Sequence, residues 1–317
     1  MSDKVVVEVG KNYVRVVVGS IKGDYIYPVK WHEKNFNDPV IKEDTKVDDV
    51  FLQIQLREIF KGKEFPKNNV RVVLCGISNI LIREIEVPIV KENQMYSLIR
   101  NEAKQYFPIN LNNYVLDYKQ LKVVSEGNTK KQKVLMVGVQ RQIIEGLINA
   151  FRNAGIKIGK IDIEPNSVVN LLKLEKNIRG DDQTAPFLVA NISRNGVSIS
   201  VASEGKLLIT KLFPIIQLEE MFSEKEGNEY EFSVIEDTIA ESILKFYDFL
   251  RTREESIREV NKLYLTGEVC QHIDVSYIIQ KRLNIEVELL GELKCVKSSK
   301  IQRGEILTYI AGISGIV

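Results

Sequence analysis

One strand pattern occurs twice in this chain, and that repetition constrains the fold more than any other feature. Residues 4–9 are rich in valine, Val14, Val16 and Val18 alternate with Arg15 and Val17, and a third short run covers 24–29. Turn signals at Gly10-Lys11-Asn12 and Lys22-Gly23-Asp24 separate them, so the opening reads as three consecutive antiparallel strands. The order returns at 187–191, 196–202 and 206–213, with Glu204-Gly205 as the turn. At an offset of 183 positions, Glu8 overlays Asn191, and Gly23 falls one residue from the partner of Gly205. A unit that recurs once at half-chain spacing argues for two homologous lobes. Chance similarity between two β-meanders is the alternative.

The intervening chain alternates helix and strand signals, as an α/β protein requires. Residues 48–60 read as a helix with Val50, Phe51, Ile54, Ile59 and Phe60 apolar, and 70–75 and 81–87 as strands. Met95, Leu98, Ile99, Ala103 and Tyr106 form one stripe of a helix over 91–106, which Pro108 ends. Strands at 114–123 and 133–139 flank a polar loop at 125–132. A helix at 141–154, a strand at 158–163 and a helix at 166–174 follow. The charged stretch 175–186 is the best boundary, dividing a lobe at 1–180 from one at 181–317. In the second lobe a polar loop at 223–231 precedes a long helix from about 233 to 252, with Ile235, Ile239, Ile243 and Phe246 on one side. A strand at 262–266, a helix at 270–283, a strand at 285–289 and a buried last helix at 305–316 complete it.

Composition removes several function classes. Lys and Arg total 44 against 43 Asp and Glu, so the chain has no general attraction for nucleic acid or anionic lipid. Lys130-Lys131-Gln132-Lys133 carries no interleaved aromatics and reads as a solvated hairpin rather than an RNA contact. Cys75, Cys270 and Cys295 stand far apart without a CxxC, which argues against zinc and a disulfide framework. The longest uncharged stretches, 72–82 and 306–317, are shorter than the roughly 20 residues of a membrane helix, and no signal peptide opens the chain. A cytoplasmic protein without direct membrane insertion is expected. The paired carboxylates Asp48-Asp49, Asp181-Asp182 and Glu219-Glu220 point apart as sequence neighbours, and His32 and His272 have no nucleophile nearby in sequence, so nothing proposes a catalytic set.

Two lobes with a cleft between them suit phosphate binding, because turns after the first strands present backbone N–H groups. Here the residues resemble a known superfamily. Val7-Glu8-Val9-Gly10 with Lys11 and Asn12 resembles the first phosphate loop of actin-like ATPases, Asn191-Ile192-Ser193-Arg194 through Gly196 the second, and Leu265-Thr266-Gly267-Glu268 the adenosine loop. More narrowly, the chain is similar to the PilM family of type IV pilus assembly proteins, which is related to FtsA. That resemblance rests on Ile85-Glu86-Val87-Pro88, Tyr106-Phe107-Pro108-Ile109, Leu116-Asp117-Tyr118, Asn153-Ala154-Gly155-Ile156, Ile161-Asp162-Ile163-Glu164, Ile239-Ala240-Glu241-Ser242-Ile243 and the closing Tyr309-Ile310-Ala311-Gly312-Ile313. Order and spacing carry the resemblance over nearly the whole chain.

The resemblance implies a two-lobed actin-like, ribonuclease H-like α/β fold with an extra α+β subdomain inserted in the first lobe at about 91–159. It also implies a partner, the cytoplasmic N-terminal peptide of a PilN-like single-span membrane protein, docked between that subdomain and its host lobe, with Tyr106, Phe107 and Pro108 as candidate contacts. Through that partner the chain would serve a scaffold linked to the pilus motor ATPases. ATP and Mg²⁺ are implied ligands, with Glu8 facing the metal and Glu241 and Lys245 near the nucleoside. The sequence departs from the family at each loop. Glu8 replaces an aspartate, Asn191 and Ser193 stand where Asp and Gly are usual, and Glu268 replaces the second of two glycines. One carboxylate is lost, Ser193 adds a Cβ where phosphate must approach, and Arg194 offers a compensating cation. The expectation is a degenerate nucleotide cleft. Its rivals are an active Mg-ATP-binding switch and an FtsA-like filament protein, although the last residues lack a basic amphipathic face.

Overall fold

The computed structural model describes residues 3–62, 65–126, 129–222, 232–252, 260–298 and 300–317. The loop expected at 223–231 therefore lies wholly outside the described residues.

The opening meander forms β1 (Lys4–Val9), β2 (Tyr13–Lys22) and β3 (Tyr25–Asn35). β3 runs well past residue 29 because Trp31, Glu33 and Asn35 keep pairing with Val17, Arg15 and Tyr13. A two-residue hairpin, β4 (Ile41–Lys42) and β5 (Lys46–Val47), leads to α1 (Asp49–Phe60). Asp48 caps α1 by accepting from the N–H of Phe51 at 3.0 Å. The buried face of α1 is Leu52, Leu56, Ile59 and Phe60. Val50 and Ile54, expected inside, are 64% and 48% exposed. β6 (Val70–Leu74) returns parallel to β1. After an excursion through β7 (Leu81–Pro88), α2 (Glu92–Tyr106), β8 (Tyr114–Glu126), β9 (Thr129–Gln140) and α3 (Arg141–Asn153), β10 (Ile158–Ile163) joins the far side of β6. The first sheet has the order β10-β6-β1-β2-β3.

Next, α4 (Glu164–Arg179) carries the chain out of that sheet, with Gly180 in the left-handed region as its cap. The helix continues through residues expected to be a hinge because Glu175 is buried. Its carboxylate accepts from the backbone N–H groups of Lys294 and Cys295 at 3.0 and 2.8 Å. β11 (Phe187–Ser193), β12 (Gly196–Ser203) and β13 (Lys206–Phe213) repeat the meander, α5 (Ile216–Met221) and α6 (Phe232–Arg251) follow, and β14 (Lys262–Thr266), α7 (Ser276–Leu283) and β15 (Glu286–Leu289) complete the second layer. Its sheet order is β13-β12-β11-β14-β15. Counted along the chain within each sheet alone, both sheets read third, second, first, fourth, fifth. The repetition seen in the sequence is thus a repetition of topology.

The chain ends in two short helices, α8 (Arg303–Thr308) and α9 (Ile310–Ser314), where one continuous helix was expected. Ile310, Ile313 and Ile316 pack into the core of the first sheet, not the second. The inserted piece has its own three-stranded sheet, β7-β9-β8, with α2 on one face. Met95, Ile99 and Ala103 of α2 meet Ile85, Val87, Val134 and Met136, the stripe the periodicity predicts. Because β7 pairs with β9, the insertion begins ten residues before the expected start at 91. Lys130 to Lys133 pair with β8 and β7, so this basic run is strand, not loop.

Candidate functional site

The cleft between the two large sheets is built first by register. Glu8 on β1 stands opposite Arg15 on β2, and Arg15 opposite Glu33 on β3, so three charges form one row across the sheet. From the second lobe two loops meet that row, the β11–β12 turn carrying Arg194 and the turn after β14 carrying Glu268. Arg15 and Arg194 are only 2% and 4% exposed.

The guanidinium of Arg15 donates from Nε and Nη2 to Glu33 Oε1 at 3.1 and 3.0 Å, and from Nη1 to the carbonyl of Thr308 at 2.7 Å. Nη1 also lies 3.4 Å from Glu268 Oε2 and 3.6 Å from Glu8 Oε2. Arg194 donates from Nη2 to Glu33 Oε1 at 2.9 Å, from Nη1 to Asn35 Oδ1 at 2.6 Å and from Nε to Glu268 Oε1 at 3.2 Å. The same Glu268 oxygen accepts from the backbone N–H of Arg194 at 3.1 Å. Both guanidinium groups lie near the ring of Tyr13, at 4.3 and 4.9 Å from its centre. Two arginines and three carboxylates therefore close the cleft, and three of their bonds cross from lobe to lobe.

The charges perturb one another in ways burial explains. Burial would push the Glu268 carboxyl up, but Arg15, Arg194 and the Arg194 N–H outweigh it and bring its pKa to about 2. Glu8 goes the other way. Burial dominates, Arg15 and the N–H of Gly312 compensate only in part, and its pKa is raised to about 7. That N–H donates to Glu8 Oε1 at 2.5 Å, which ties α9 to β1.

Several of the other expected nucleotide contacts are occupied locally. The N–H of Gly10 donates to the carbonyl of Tyr13 at 3.1 Å, closing the first turn. Lys11 pairs with Glu219 of α5. Ser193 Oγ lies 3.4 Å from the carbonyl of Gly196, which holds φ +124° where a Cβ would meet the carbonyl oxygen of Phe213 at 2.1 Å. Gly267 has φ +103°, and a Cβ there would sit 2.2 Å from the carbonyl oxygen of Ile192 and 2.4 Å from Asn191 Oδ1. This close approach holds Glu268 against the second phosphate-loop strand. Glu241 and Lys245 form an exposed i,i+4 pair at 3.3 Å on α6, and among the described residues neither bonds to the cleft.

Sequence reasoning missed Arg15, Glu33, Tyr13 and Glu164 as members of this site. Glu164 follows β10, is buried, and has a pKa raised to about 7 by burial despite hydrogen bonds from Asn191 and Ser198. An available signal was Val14-Arg15-Val16, a charge amid valines in a strand buried on both faces. Polar atoms without a partner remain around the loops, at Asn12 Oδ1, Asn191 Oδ1, both Asn195 amide atoms and Thr266 Oγ1. Such atoms suit bound water or a ligand. Among the described residues, no group of three or more His, Cys, Asp or Glu side chains converges as a metal site would require.

Beside the cleft lies a cavity of about 570 Å³ between the inserted sheet and β13 of the second lobe. Phe107 lines it. Tyr106 instead carries the guanidinium of Arg83 at 4.2 Å from its ring centre, and Pro108 is exposed and not part of the lining. The cavity therefore lies between the insertion and the second lobe, where the resemblance implied a groove between the insertion and its host lobe.

Residues 7–225 match a family model described as type IV pilus assembly protein PilM. A comparison with curated proteins finds no match. Among solved structures, the chain is similar to one in a PilM–PilN type IV pilus biogenesis complex, at 19% identity and a TM-score of 0.75, covering 99% of this chain and 97% of that one. It is also similar to the ethanolamine utilization protein EutJ from Carboxydothermus hydrogenoformans, at 14% identity and a TM-score of 0.53, covering 100% of this chain and 90% of that one. At these identities the likeness speaks for the fold, and the fold is the actin-like one expected from the sequence.

Proposed function

This chain belongs to the type IV pilus assembly protein PilM family, and from that premise we propose that it is a scaffold of pilus assembly whose cleft is held by its own side chains rather than by Mg-ATP. The observation that carries the reading is the Arg15–Glu33–Arg194–Glu268 cluster. A phosphate needs free donors, yet the nitrogens of Arg194 face Glu33, Asn35 and Glu268. A divalent cation needs free carboxylate oxygens, yet Glu8 faces the Gly312 N–H and the Arg15 guanidinium, a cation already in place. The donor set does not fit a metal–phosphate centre. Glu268 further occupies the loop that would meet a base.

As a scaffold, the protein binds the cytoplasmic N-terminal peptide of a PilN-like single-span membrane protein and passes that contact to the motor ATPases. The solved PilM–PilN complex supports the partner. Attachment to the inner membrane would run through that partner, and no described helix is long and apolar enough to cross a membrane. Two measurements test the reading. Calorimetric titration with ATP, with and without Mg²⁺, should give no heat at ~1 mM ligand, an affinity weaker than about −4 kcal/mol. Binding that strengthens with Mg²⁺ would restore the nucleotide-switched alternative. A pull-down with the co-encoded single-span protein should retain this chain, and a failure to do so would remove the pilus partner.

A further inference from the structure

We infer that a band of six cations, running from the start of β1 to the start of β13, is a docking face for the anionic headgroups of a phospholipid surface. This goes beyond the reading above, because it concerns bare lipid and stands whether or not a membrane protein is bound. The first observation is placement. Lys4 on β1 donates from Nζ to the carbonyl of Ile316 at 2.7 Å, and Arg71 on β6 donates from Nη1 to the carbonyl of Gly315 at 2.8 Å. The two therefore stand side by side just past α9. Arg71 is directly opposite Lys160 in the β6–β10 register. Lys173 of α4 lays its stem on Gly205, where a Cβ would meet Lys173 Cδ at 2.5 Å. The next residue, Lys206, donates from Nζ to the carbonyl of Leu121 at 3.2 Å, two positions along β8 from Lys119. Apart from Lys206, none of the six lines the cavity between the insertion and β13.

The second observation is charge. The totals of 44 cations and 43 carboxylates remove a general attraction for lipid, but the charges are not spread evenly. Lys160 has Asp162 at 2.8 Å, and Lys206 has Glu204 at 3.5 Å. Among the described residues, Lys4, Arg71, Lys119 and Lys173 have no carboxylate within ion-pair distance. The pKa of Lys4 is lowered by burial and then by Arg71 and Lys160. That of Lys119 is lowered by burial and then by Lys160, Lys173 and Lys206, against the pull of Asp162. Like charges directly opposite one another in a sheet are destabilising, and an anionic surface relieves that repulsion. Arg71 and Lys160 also border a space of about 10 Å³ with Ser167, whose buried hydroxyl has no partner among the described residues. It has room for one oxygen, as a headgroup phosphate presents. The make-up of the band favours lipid over other polyanions. Protein interfaces have an apolar centre and are poor in lysine, whereas five of these six residues are lysines. Single-stranded nucleic acid is gripped by aromatic rings among the cations, and Tyr118, beside Lys119, packs against the core of the insertion instead. A headgroup layer needs no pocket and attracts each lysine near its surface.

The test is co-sedimentation of the full chain with vesicles of phosphatidylcholine alone and of phosphatidylcholine mixed with phosphatidylglycerol. The chain should bind the mixed vesicles, release them as salt rises, and ignore the neutral ones. Lys119→Gln, Lys160→Gln and Lys173→Gln, all at exposed positions, should each weaken binding about fivefold. Lys281→Gln, exposed on α7 of the second lobe, should leave it unchanged. Melting curves check that each variant folds. Inorganic phosphate should displace no more chain than chloride at the same ionic strength, which separates a lipid surface from a site for a free anion. The inference is overturned if the two kinds of vesicle bind alike or neither binds. It is equally overturned if the three lysine variants bind as the parent does, or if Lys281→Gln weakens binding as much as they do. Displacement by phosphate beyond that by chloride, or tighter binding of polyglutamate or a single-stranded oligonucleotide than of the mixed vesicles, also overturns it.

Discussion

Removing the charge of Glu268 should loosen the first lobe, although Glu268 belongs to the second. The structure supplies the magnitude. The pKa of Glu268 falls from an ordinary 4.5 to about 2, worth about 3–4 kcal/mol at roughly 1.4 kcal/mol per pH unit. Breaking a buried pair costs about 3–5 kcal/mol, because the partner charge stays buried. The two routes agree. Glu268→Gln leaves Arg15 and Arg194 leaning on Glu33 and Glu8, and Arg194→Met leaves Glu268 with Arg15 alone. Each single change should cost about 2–4 kcal/mol. The double variant should cost less than the sum, by more than about 1 kcal/mol, because the groups are in contact. Trp31 provides the assay. It is the single tryptophan, it lies on β3, and its indole N–H donates to Glu305 at 2.7 Å, so its fluorescence reports the first lobe. With a urea dependence of about 2 kcal/mol per molar, its unfolding midpoint should fall by roughly 1–2 M in Glu268→Gln. An unmoved Trp31 transition, or single costs that simply add, would refute the claim that this cluster couples the lobes.

Three further outcomes are expected. Glu8 and Glu164 each have a folded pKa of about 7 against 4.5 unfolded, so each favours the folded state while protonated; up to about 3 kcal/mol apiece is fully present below pH 4.5 and lost as pH rises through 7. Glu268 has the opposite sign, its contribution being present above pH 4.5 and lost as pH falls towards 2. Urea midpoints should therefore peak near pH 4.5 and fall from there to about pH 7, and Glu8→Gln with Glu164→Gln should flatten that alkaline fall while leaving the acid side unchanged. Gly267→Ala should destabilise the second lobe by more than about 1–3 kcal/mol through its positive φ and the contact with Ile192, read as lost amide protection in β11 and β14 by hydrogen exchange. Tyr13→Leu should reduce stability by about 1–2 kcal/mol per lost guanidinium contact in the urea assay, since both arginines lie near its ring.

What sequence showed and what it hid follow one physical line. The two meanders were legible because valine alternation and glycine turns act locally. The stripe of α2 was legible because only one face of that helix is covered. The face of α1 was not. Val50 and Ile54 have helical spacing equal to that of Leu52 and Leu56, and only the packing of α3 against α1 decides between them. The helix expected at 305–316 breaks at Tyr309 because Gly312 must offer its N–H to Glu8, a contact between residues 304 apart. The cleft was half legible. Its loops could be placed, and Glu8, Arg194 and Glu268 named, from their likeness to phosphate loops. Their mutual pairing depends on Arg15 and Glu33, which in one dimension look like the polar side of an alternating strand. Charge complementarity across three strands and two loops has no sequence period, so no pattern search reports it.

That pairing changes what the actin-like frame can respond to. A ligand that binds only the closed form stabilises it by an amount set by its concentration over its Kd, so a nucleotide-filled cleft follows the nucleotide supply. Here the two lobes are bridged by Arg194 to Glu33 and Asn35 and by Arg15 to Glu268, groups that are always present. In the proposed scaffold their closure would vary with pH through Glu8 and Glu268 and would not need ATP. The cavity walled by β7 and β13 has one wall on each side of that bridge, because β7 belongs to the insertion in the first lobe and β13 to the second. Its width is therefore set by the spacing that the buried ion pairs hold. With these five charged side chains in place, the proposed scaffold would hold its two lobes at one spacing without a nucleotide between them.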